Sequence, residues 1–487
     1  MLYILVLFPL AMAAATFALP SNRWRPWLLP VGALVYLGLA AVAIFPTGEQ
    51  EALWGMEGWL RLDALGKVVL GLLAVLFFLC TLYAPAYLAV RLDRPNRVFC
   101  ANLFVVLAMM TLVVFSHHLG LMWVAMEATT LASAPLLYFE HNARSLEATW
   151  KYLLIGSVGI ALALFGSFFL AYSSIKAGLQ STLLFEQLVE IAPKLSPPWL
   201  HAAFVLLFIG YGTKMGLAPM HTWKPDAYGE APGLVGTLLA GGLTSCAFLA
   251  ILRIYQICRA GSEAEHAREI LVVAGLLSMA VAAVFLARQR DFKRMLAYSS
   301  VEHMGILVLG IGLGGLAVYG ALLHLINNAL TKGVLFLSAG NIHRAYGSKV
   351  TDNVAGALQR VPLSGALFLV GFLAITGSPP FGPFVSEFTI ASAAVGSGQV
   401  WAGGLFLVLL ALVFIGMGTT VLSVVLGNAP PPRSEMEAGA EKRGFRDGFS
   451  TGAPILLMLV LVLMLGVYVP PPLESLLRDA AALLEGR

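Results

Sequence analysis

A helical, polytopic membrane fold is what this sequence predicts, and three observations carry the reading. Hydrophobic residues fill 59% of the 487 positions and charged residues only 11%, where an ordinary soluble domain is about 25% charged; the mean hydropathy is +0.85. Apolar runs near the length of about 20 residues that a helix needs to cross the hydrocarbon core recur from end to end, and a helix satisfies its own backbone there. Two of these runs are interrupted by glycine and proline at corresponding places in two halves of the chain. A soluble fold is excluded.

Taken in order, three spans come first, at 2–19, 27–46 and 67–90, as an N-terminal unit over 1–97. The first run lacks a basic leader and is followed at once by further spans, so it reads as a membrane helix rather than a cleavable signal. Five spans follow at 98–116, 119–139, 152–172, 199–220 and 233–256, then five more at 268–287, 299–317, 319–340, 363–397 and 401–427. The stretches 98–256 and 268–427 therefore read as two repeats, each with its fourth span broken. The breaks are Gly216-Leu217-Ala218-Pro219 and Thr376-Gly377-Ser378-Pro379-Pro380-Phe381-Gly382-Pro383, where proline removes a donor and bars its predecessor from the helical conformation. Broken helices at matching positions point to an ion or substrate path. The insert 428–452, with Pro430-Pro431-Pro432 and alternating charge, reads as a flexible cytoplasmic loop. The fourteenth span, at 453–470, leaves a short tail within the closing unit 453–487.

An even number of spans returns both termini to one face. Of the 30 Lys and Arg residues, 19 fall on the opposite face (Arg23, Arg25, the Arg91 to Arg97 group, Arg144, Lys151, Lys224, Arg288 to Arg294, Arg344 to Arg360 and Arg433 to Arg446) and 9 on the face of the termini. Cytoplasmic loops are the Lys/Arg-rich ones, so both termini are expected on the non-cytoplasmic side of a cell inner membrane. Lys214 and Lys332 belong to neither set, because they fall inside spans. The net charge of +4 is spread over short loops without a basic face, which fits topology and not nucleic-acid binding.

An ionisable side chain at mid-membrane costs about 2.5–3.5 kcal/mol on insertion scales and so faces a bundle interior or a water path. Glu127 sits near the middle of an apolar span, and Lys214 just before the first break. The two are placed where they could pair, directly or through water. Burial disfavours both charges and a partner restores them, so small changes of distance move a proton on or off the lysine. His324, Asn328 and Lys332, at i, i+4 and i+8, lie along one ridge of their helix over about 12 Å. Glu387 follows the second break, topologically related to the Lys214 region, and reads as the far end of that polar wire. Glu302 and His303 are expected near a cytoplasmic helix end, as an inlet. One mid-span glutamate is also an ordinary interhelical hydrogen-bonding residue; five such positions across two broken halves favour an ion path. His221, His117 and His118 fall at helix ends near headgroups, where solvated or anchoring roles are as natural as proton carriage.

Cys80, Cys100, Cys246 and Cys258 lie far apart with no C-x-x-C spacing, and read as packing residues. Neither a Walker A sequence, nor a dinucleotide fingerprint after a strand, nor C-x-x-C-H occurs. No cofactor or metal is expected.

The stretch Lys214-Met215-Gly216-Leu217-Ala218-Pro219-Met220-His221-Thr222-Trp223-Lys224-Pro225-Asp226-Ala227-Tyr228-Gly229-Glu230-Ala231-Pro232 closely resembles the signature of the antiporter-like proton-pumping subunits of respiratory complex I, the Mrp antiporters and membrane-bound hydrogenases. The resemblance continues in Asp291 to Ser300 and in Asn328 to Gly340, and covers roughly 98–430. Within the group, Ser299-Ser300-Val301-Glu302-His303-Met304-Gly305 and Gly377 to Pro383 look most like component F of hydrogenase-4, of the formate hydrogenlyase type. The resemblance implies a fourteen-helix subunit with two inverted five-helix repeats, each carrying a half-channel, joined at mid-membrane by charged residues and water. It implies that Glu127 modulates a pump lysine, Lys214; that Lys332 is the central lysine of the second half; and that Glu387 releases the proton. Two positions depart from the family pattern: Ser245 stands where a lysine of the eighth span is usual, and Asn328 where a histidine is usual. Passage between the halves would then depend on water, Ser245, Thr244, His324 and Asn328. The long lateral helix of one branch of the family is not expected here.

The expected function is proton translocation as a membrane subunit of a multi-subunit redox complex, with other membrane subunits and peripheral redox chains as partners and no redox centre of its own. A non-pumping structural subunit, the membrane half of an inorganic-carbon uptake system, and sodium transport are the alternatives.

Overall fold

The computed structural model describes residues 1–46, 54–89, 95–428, 445 and 447–486. Most of the expected insert 428–452 and the cations Arg91, Arg94, Arg433, Lys442, Arg443 and Arg446 lie outside the described residues.

The N-terminal unit is α1 (Leu2–Ala18), α2 (Leu28–Ile44) and α3 (Ala64–Ala89), with a two-stranded antiparallel ribbon, β1 (Trp54–Gly55) and β2 (Leu60–Arg61), before α3. The first repeat is α4 (Arg97–Phe115), α5 (Leu119–Leu137), α6 (Ala143–Lys176), the surface helix α7 (Phe185–Ile191), α8 (Pro197–Met215), α9 (Trp223–Glu230) and α10 (Gly233–Thr237), which passes through a π-helical turn at Leu238–Leu243 into α11 (Thr244–Ala260). The second is α12 (Ala264–Leu286), α13 (Phe292–Leu313), α14 (Leu316–Tyr346), the single turn α15 (Ala357–Arg360), α16 (Pro362–Ile375), α17 (Gly382–Gly396) and α18 (Val400–Val425). Last come α19 (Phe449–Val467) and α20 (Pro471–Glu485), a helix where the sequence suggested only a tail.

Among the described residues, 11 helices are long and apolar enough to cross a membrane. The shorter apolar α1 and the broken pairs α8/α9 and α16/α17 complete the fourteen spans that the sequence predicts. Backbone bridges hold the connections of each face together: Leu60 pairs with Ser116 and His118 with Leu184 on the face of the termini, Asp291 with Val350 on the other. Five is an odd number, so the second repeat starts from the opposite face and is inverted.

Both breaks use the same backbone. Gly216 (φ 82°) and Gly377 (φ 70°) turn left-handed, and a cis X-Pro bond follows at Ala218-Pro219 and Pro379-Pro380. Only glycine takes that turn without a penalty of about 1–2 kcal/mol. The expected span 299–317 starts too late by seven residues: α13 begins at Phe292 because the Asp291 carboxylate caps it, accepting from the backbone N–H groups of Lys293 (2.9 Å) and Arg294 (3.0 Å). Of the two cations in its first turn, Lys293 is held inside, its Nζ donating to the Ala231 carbonyl at 2.7 Å, while the partly exposed Arg294 pairs with Asp226. The helices nearest the breaks pack on small residues. A Cβ at Gly210 would stand 2.6 Å from the backbone nitrogen of Ala163, and one at Gly275 2.7 Å from the Gly305 carbonyl oxygen, so α6 meets α8, and α12 meets α13, backbone to backbone.

Candidate functional site

In the first half, Lys214 is the penultimate residue of α8, two residues before Gly216, and is 1% exposed. Its Nζ donates to Thr130 Oγ1 and, at 3.1 Å, to the Tyr152 hydroxyl. Glu127 and Lys214 make no direct ion pair. Glu127 lies half-buried on α5, accepting from Ser157 Oγ at 2.6 Å and from Thr130 Oγ1 at 3.3 Å, so Thr130 stands between the charges. The reason is local: Thr130 is one turn after Glu127 on the same helix and reaches the lysine first.

In the second half, Lys332 is fully buried and donates to Ser299 Oγ at 2.7 Å. Along the ridge of α14, His324, Asn328 and Lys332 are not hydrogen-bonded to one another. Instead, His324 turns sideways, its Nε2 3.0 Å from His303 Nδ1 and its Nδ1 2.9 Å from Ser386 Oγ. Asn328 is buried with its Oδ1 free of protein partners, bonded to neither His324 nor Lys332. Glu387 is 5% exposed and folds back over Gly377, where a Cβ would overlap its carboxylate. Glu302 and His303 are not at a helix end. With α13 starting at Phe292 they fall in its buried middle, and the His303 Nε2 to Glu302 Oε2 distance is 3.7 Å. Six buried polar atoms without protein hydrogen-bond partners gather here: Glu302 Oε2, His303 Nε2, Asn327 Oδ1 and Nδ2, Asn328 Oδ1 and Glu387 Oε1.

Three further expectations are corrected. His221 is not beside headgroups; it is 7% exposed inside the break, its ring 6.2 Å from those of Phe285 and Tyr298. Ser245 and Thr244 bond back to the carbonyls of Gly241 and Ala240 in the π-helical turn and reach no ionisable group. Arg25, Lys224 and Lys293, counted as loop cations, are at most 3% exposed. Residues that sequence reasoning missed are Lys224, Ser299, Ser386 and Asn327, the last seated where a Cβ of Gly382 would be. Asn327 was within reach of the pattern, because i+3 from His324 shares a face as well as i+4 does.

His303, His324 and Glu387 have ligand atoms within 4.8 Å of one another, a donor set that zinc accepts. The fold thus pairs histidines that no sequence spacing announced. Three of their four ring nitrogens already have partners, His303 Nδ1 and both of His324, an arrangement for handing on a proton.

On the face of the termini, outside the spans, His117 is buried rather than solvated. Its Nδ1–H donates to Glu186 Oε1 at 3.2 Å, and its Nε2 is 3.7 Å from Asp63, which in turn faces Arg253 at 3.6 Å. Burial, seconded by Arg253, pulls the imidazole below its usual range. The hydrogen bond from His117 holds the Glu186 carboxyl below the usual carboxylate range, with Arg61 acting in the same sense. His118 caps α5, accepting from the Leu121 N–H at 3.3 Å, with its ring stacked 4.0 Å from Trp59; burial lowers it too.

Two inverted repeats threaded by buried ionisable side chains define an antiporter-like membrane subunit. The chain belongs to the family described as NADH:quinone oxidoreductase/Mrp antiporter, transmembrane, which matches residues 116–415. It is 33% identical over 433 residues to the hydrogenase-4 component F homolog of Methylacidiphilum infernorum (isolate V4), covering 87% of this chain and 88% of that protein. It is 29% identical over 485 residues to NADH-quinone oxidoreductase subunit N of Desulforudis audaxviator (strain MP104C), covering 96% and 95%. In fold it is similar to a chain of the Mrp complex from Dietzia sp. DQ12-45-1b, with a TM-score of 0.86 at 20% identity over 100% of this chain and 97% of that one. A chain of the archaeal membrane-bound sulfane sulfur reductase gives a TM-score of 0.85 at 23% identity, over 99% and 97%.

Proposed function

We propose that this chain carries protons across the plasma membrane as one membrane subunit of a redox complex of the hydrogenase-4 or complex I type, whose electron carriers are separate chains. The observation that carries the reading is the series of buried ionisable groups running from Lys214 in one half to Lys332, Glu302, His303, His324 and Glu387 in the other, set among hydroxyls. Lys214 takes up the proton. Glu127 biases its charge through Thr130, and Lys332 holds the proton in the second half. The pair His303–His324 and Ser386 pass it toward Glu387, which releases it. The partner-free polar atoms of the second half suit water, which carries protons between side chains too far apart to touch. The units 98–256 and 268–427 act as the two half-channels, 1–97 as a flank, 428–452 as a cytoplasmic loop, and 453–487 as the closing span and tail. Setting aside the buried Arg25, Lys224 and Lys293 on one face and Arg253 on the other leaves the cation excess of the first face in place, which supports both termini on the non-cytoplasmic side.

The test is redox-driven proton uptake by membrane vesicles holding the intact complex. Lys214→Met is expected to assemble and to lose uptake, and undiminished uptake would reject the assignment. Hydrogenase and iron-sulfur chains are expected to co-purify; a lone large zinc protein would overturn the redox reading in favour of inorganic-carbon uptake.

A further inference from the structure

Between Lys214 and Lys332 the hydrogen-bonded groups leave a gap that neither Ser245 nor Asn328 fills. A third lysine stands there. Lys224, the second residue of α9, is wholly buried, although Trp223-Lys224-Pro225-Asp226 reads as loop. Its stem crosses Gly216: a Cβ at that glycine would overlap the δ and ε methylenes and stand 2.9 Å from Nζ. Its Nζ donates to Ser300 Oγ at 3.0 Å, and the adjacent Ser299 accepts from Lys332 at 2.7 Å. Two neighbouring serines of α13 thus hold two lysines from opposite halves. On the other flank an aromatic wall leads back to Lys214. Lys214 Nζ lies 4.7 Å from the Tyr152 ring centre, Trp223 packs against Tyr152 at 5.1 Å and Tyr228 at 5.8 Å, and Lys224 Nζ lies 5.7 Å from the Tyr228 ring centre. Lys224 has no ion pair among the described residues. A buried ammonium without a counter-ion is costly, and such a residue inside a membrane marks a conduction path.

We propose that Lys224 is the proton-carrying group that joins the two halves, an inference that rests on the proton-conducting reading and extends it. The proton on the Lys214 ammonium passes by way of water to the neutral Lys224 amine, and from there, again by way of water, past the Ser300 and Ser299 hydroxyls that hold the two amines to the neutral Lys332 amine. At each transfer one bond to hydrogen breaks and one forms, the donor is left neutral, and no electrons are exchanged. The titratable groups around Lys224 are His221 and Tyr228 on its own segment, His303 on α13, and Lys332 across the serines, with Lys214 beyond Trp223. Like charges in a low-dielectric interior repel strongly, so a proton arriving at one lysine drives the next onward.

The experiment follows redox-driven proton uptake and electron transfer together in vesicles holding the intact complex. Lys224→Met cannot hold a proton, while Lys224→Arg keeps the charge and does not release it. Both are expected to assemble, to sustain electron transfer and to lose uptake by about a hundredfold, the low end for removing a positioned proton-transfer group. Normal uptake in Lys224→Met, or recovery in Lys224→Arg, overturns the proposal. Should neither variant assemble, Ser300→Ala decides: slowed uptake with an altered pH profile supports it, and unchanged uptake overturns it. Lys214→Met run alongside separates the two claims. Uptake lost there but kept in Lys224→Met rejects the connecting role alone, whereas uptake kept in both rejects the proton-conducting reading.

Discussion

In the first half the chain turns left-handed at Gly216 and the side chain laid over the turn is Lys224; in the second it does the same at Gly377 and the side chain laid over it is Glu387. The backbone device is shared, down to the cis bond three residues on. The chemistry is not. The first break is surrounded by lysines held by Thr130, Tyr152 and Ser300, all hydroxyls. The second gathers carboxylates, imidazoles and amides, several without protein partners. Inversion of a repeat therefore keeps the place where the helix opens, while the side chain laid over the opening is basic in one half and acidic in the other.

Removing the acid of the second break gives the largest expected effect. Glu387→Gln is predicted to assemble and retain electron transfer while coupled proton release falls by about a hundredfold, the scale of losing one proton-transfer group. Normal proton-to-electron stoichiometry would erase the contrast between the halves. Next, Gly216→Ala and Gly377→Ala are each predicted to destabilise the subunit by about 1–2 kcal/mol for the left-handed turn alone. Thermal unfolding of the purified complex reads that loss. Gly377→Ala is expected to impair transport more, because a carboxylate held against a new methyl has less freedom than the methylene stem of Lys224. A smaller effect is expected at Glu127, which touches Lys214 only through Thr130. Glu127→Gln should slow uptake about 2- to 10-fold, equivalent to one hydrogen bond of ~0.5–1.5 kcal/mol, with Glu127→Asp in between; equal rates in all three forms would make Glu127 a packing residue.

The smallest effect lies outside the spans. His117 and Glu186 both have folded values below their ordinary ones, so the folded junction binds fewer protons than the open one and is stabilised at higher pH. Its stability should fall as pH drops below about 6.5, first through His117 and then, below about 4.3, through Glu186. Amide exchange at Leu119 and Phe185, whose N–H groups bond across this junction, should quicken over that window; pH-independent exchange would refute the coupling.

The spans were legible as apolar runs, and both breaks and the buried positions of Lys214, Lys332 and Glu387 as local departures from them. Partners were not legible. The intervening Thr130, the sideways turn of His324 and the burial of Lys224 depend on which helices meet, and no periodicity encodes that. Glu302 and His303 were misplaced through one error of boundary: two cations at 293–294 looked like a loop, whereas the Asp291 cap and the Ala231 carbonyl let the helix start there.

The backbone contact between α6 and α8 at Gly159, Ala163 and Gly210 bears on speed. Helices that meet without intervening side chains have no clearance to slide, and helix translation is in any case a microsecond-to-millisecond event, whereas unhindered side chains turn in picoseconds to nanoseconds. With α8 clamped in this way, the helix that bears Lys214 serves as a fixed mount, and movement at this site falls to the lysine's own methylenes and the hydroxyl groups that hold it.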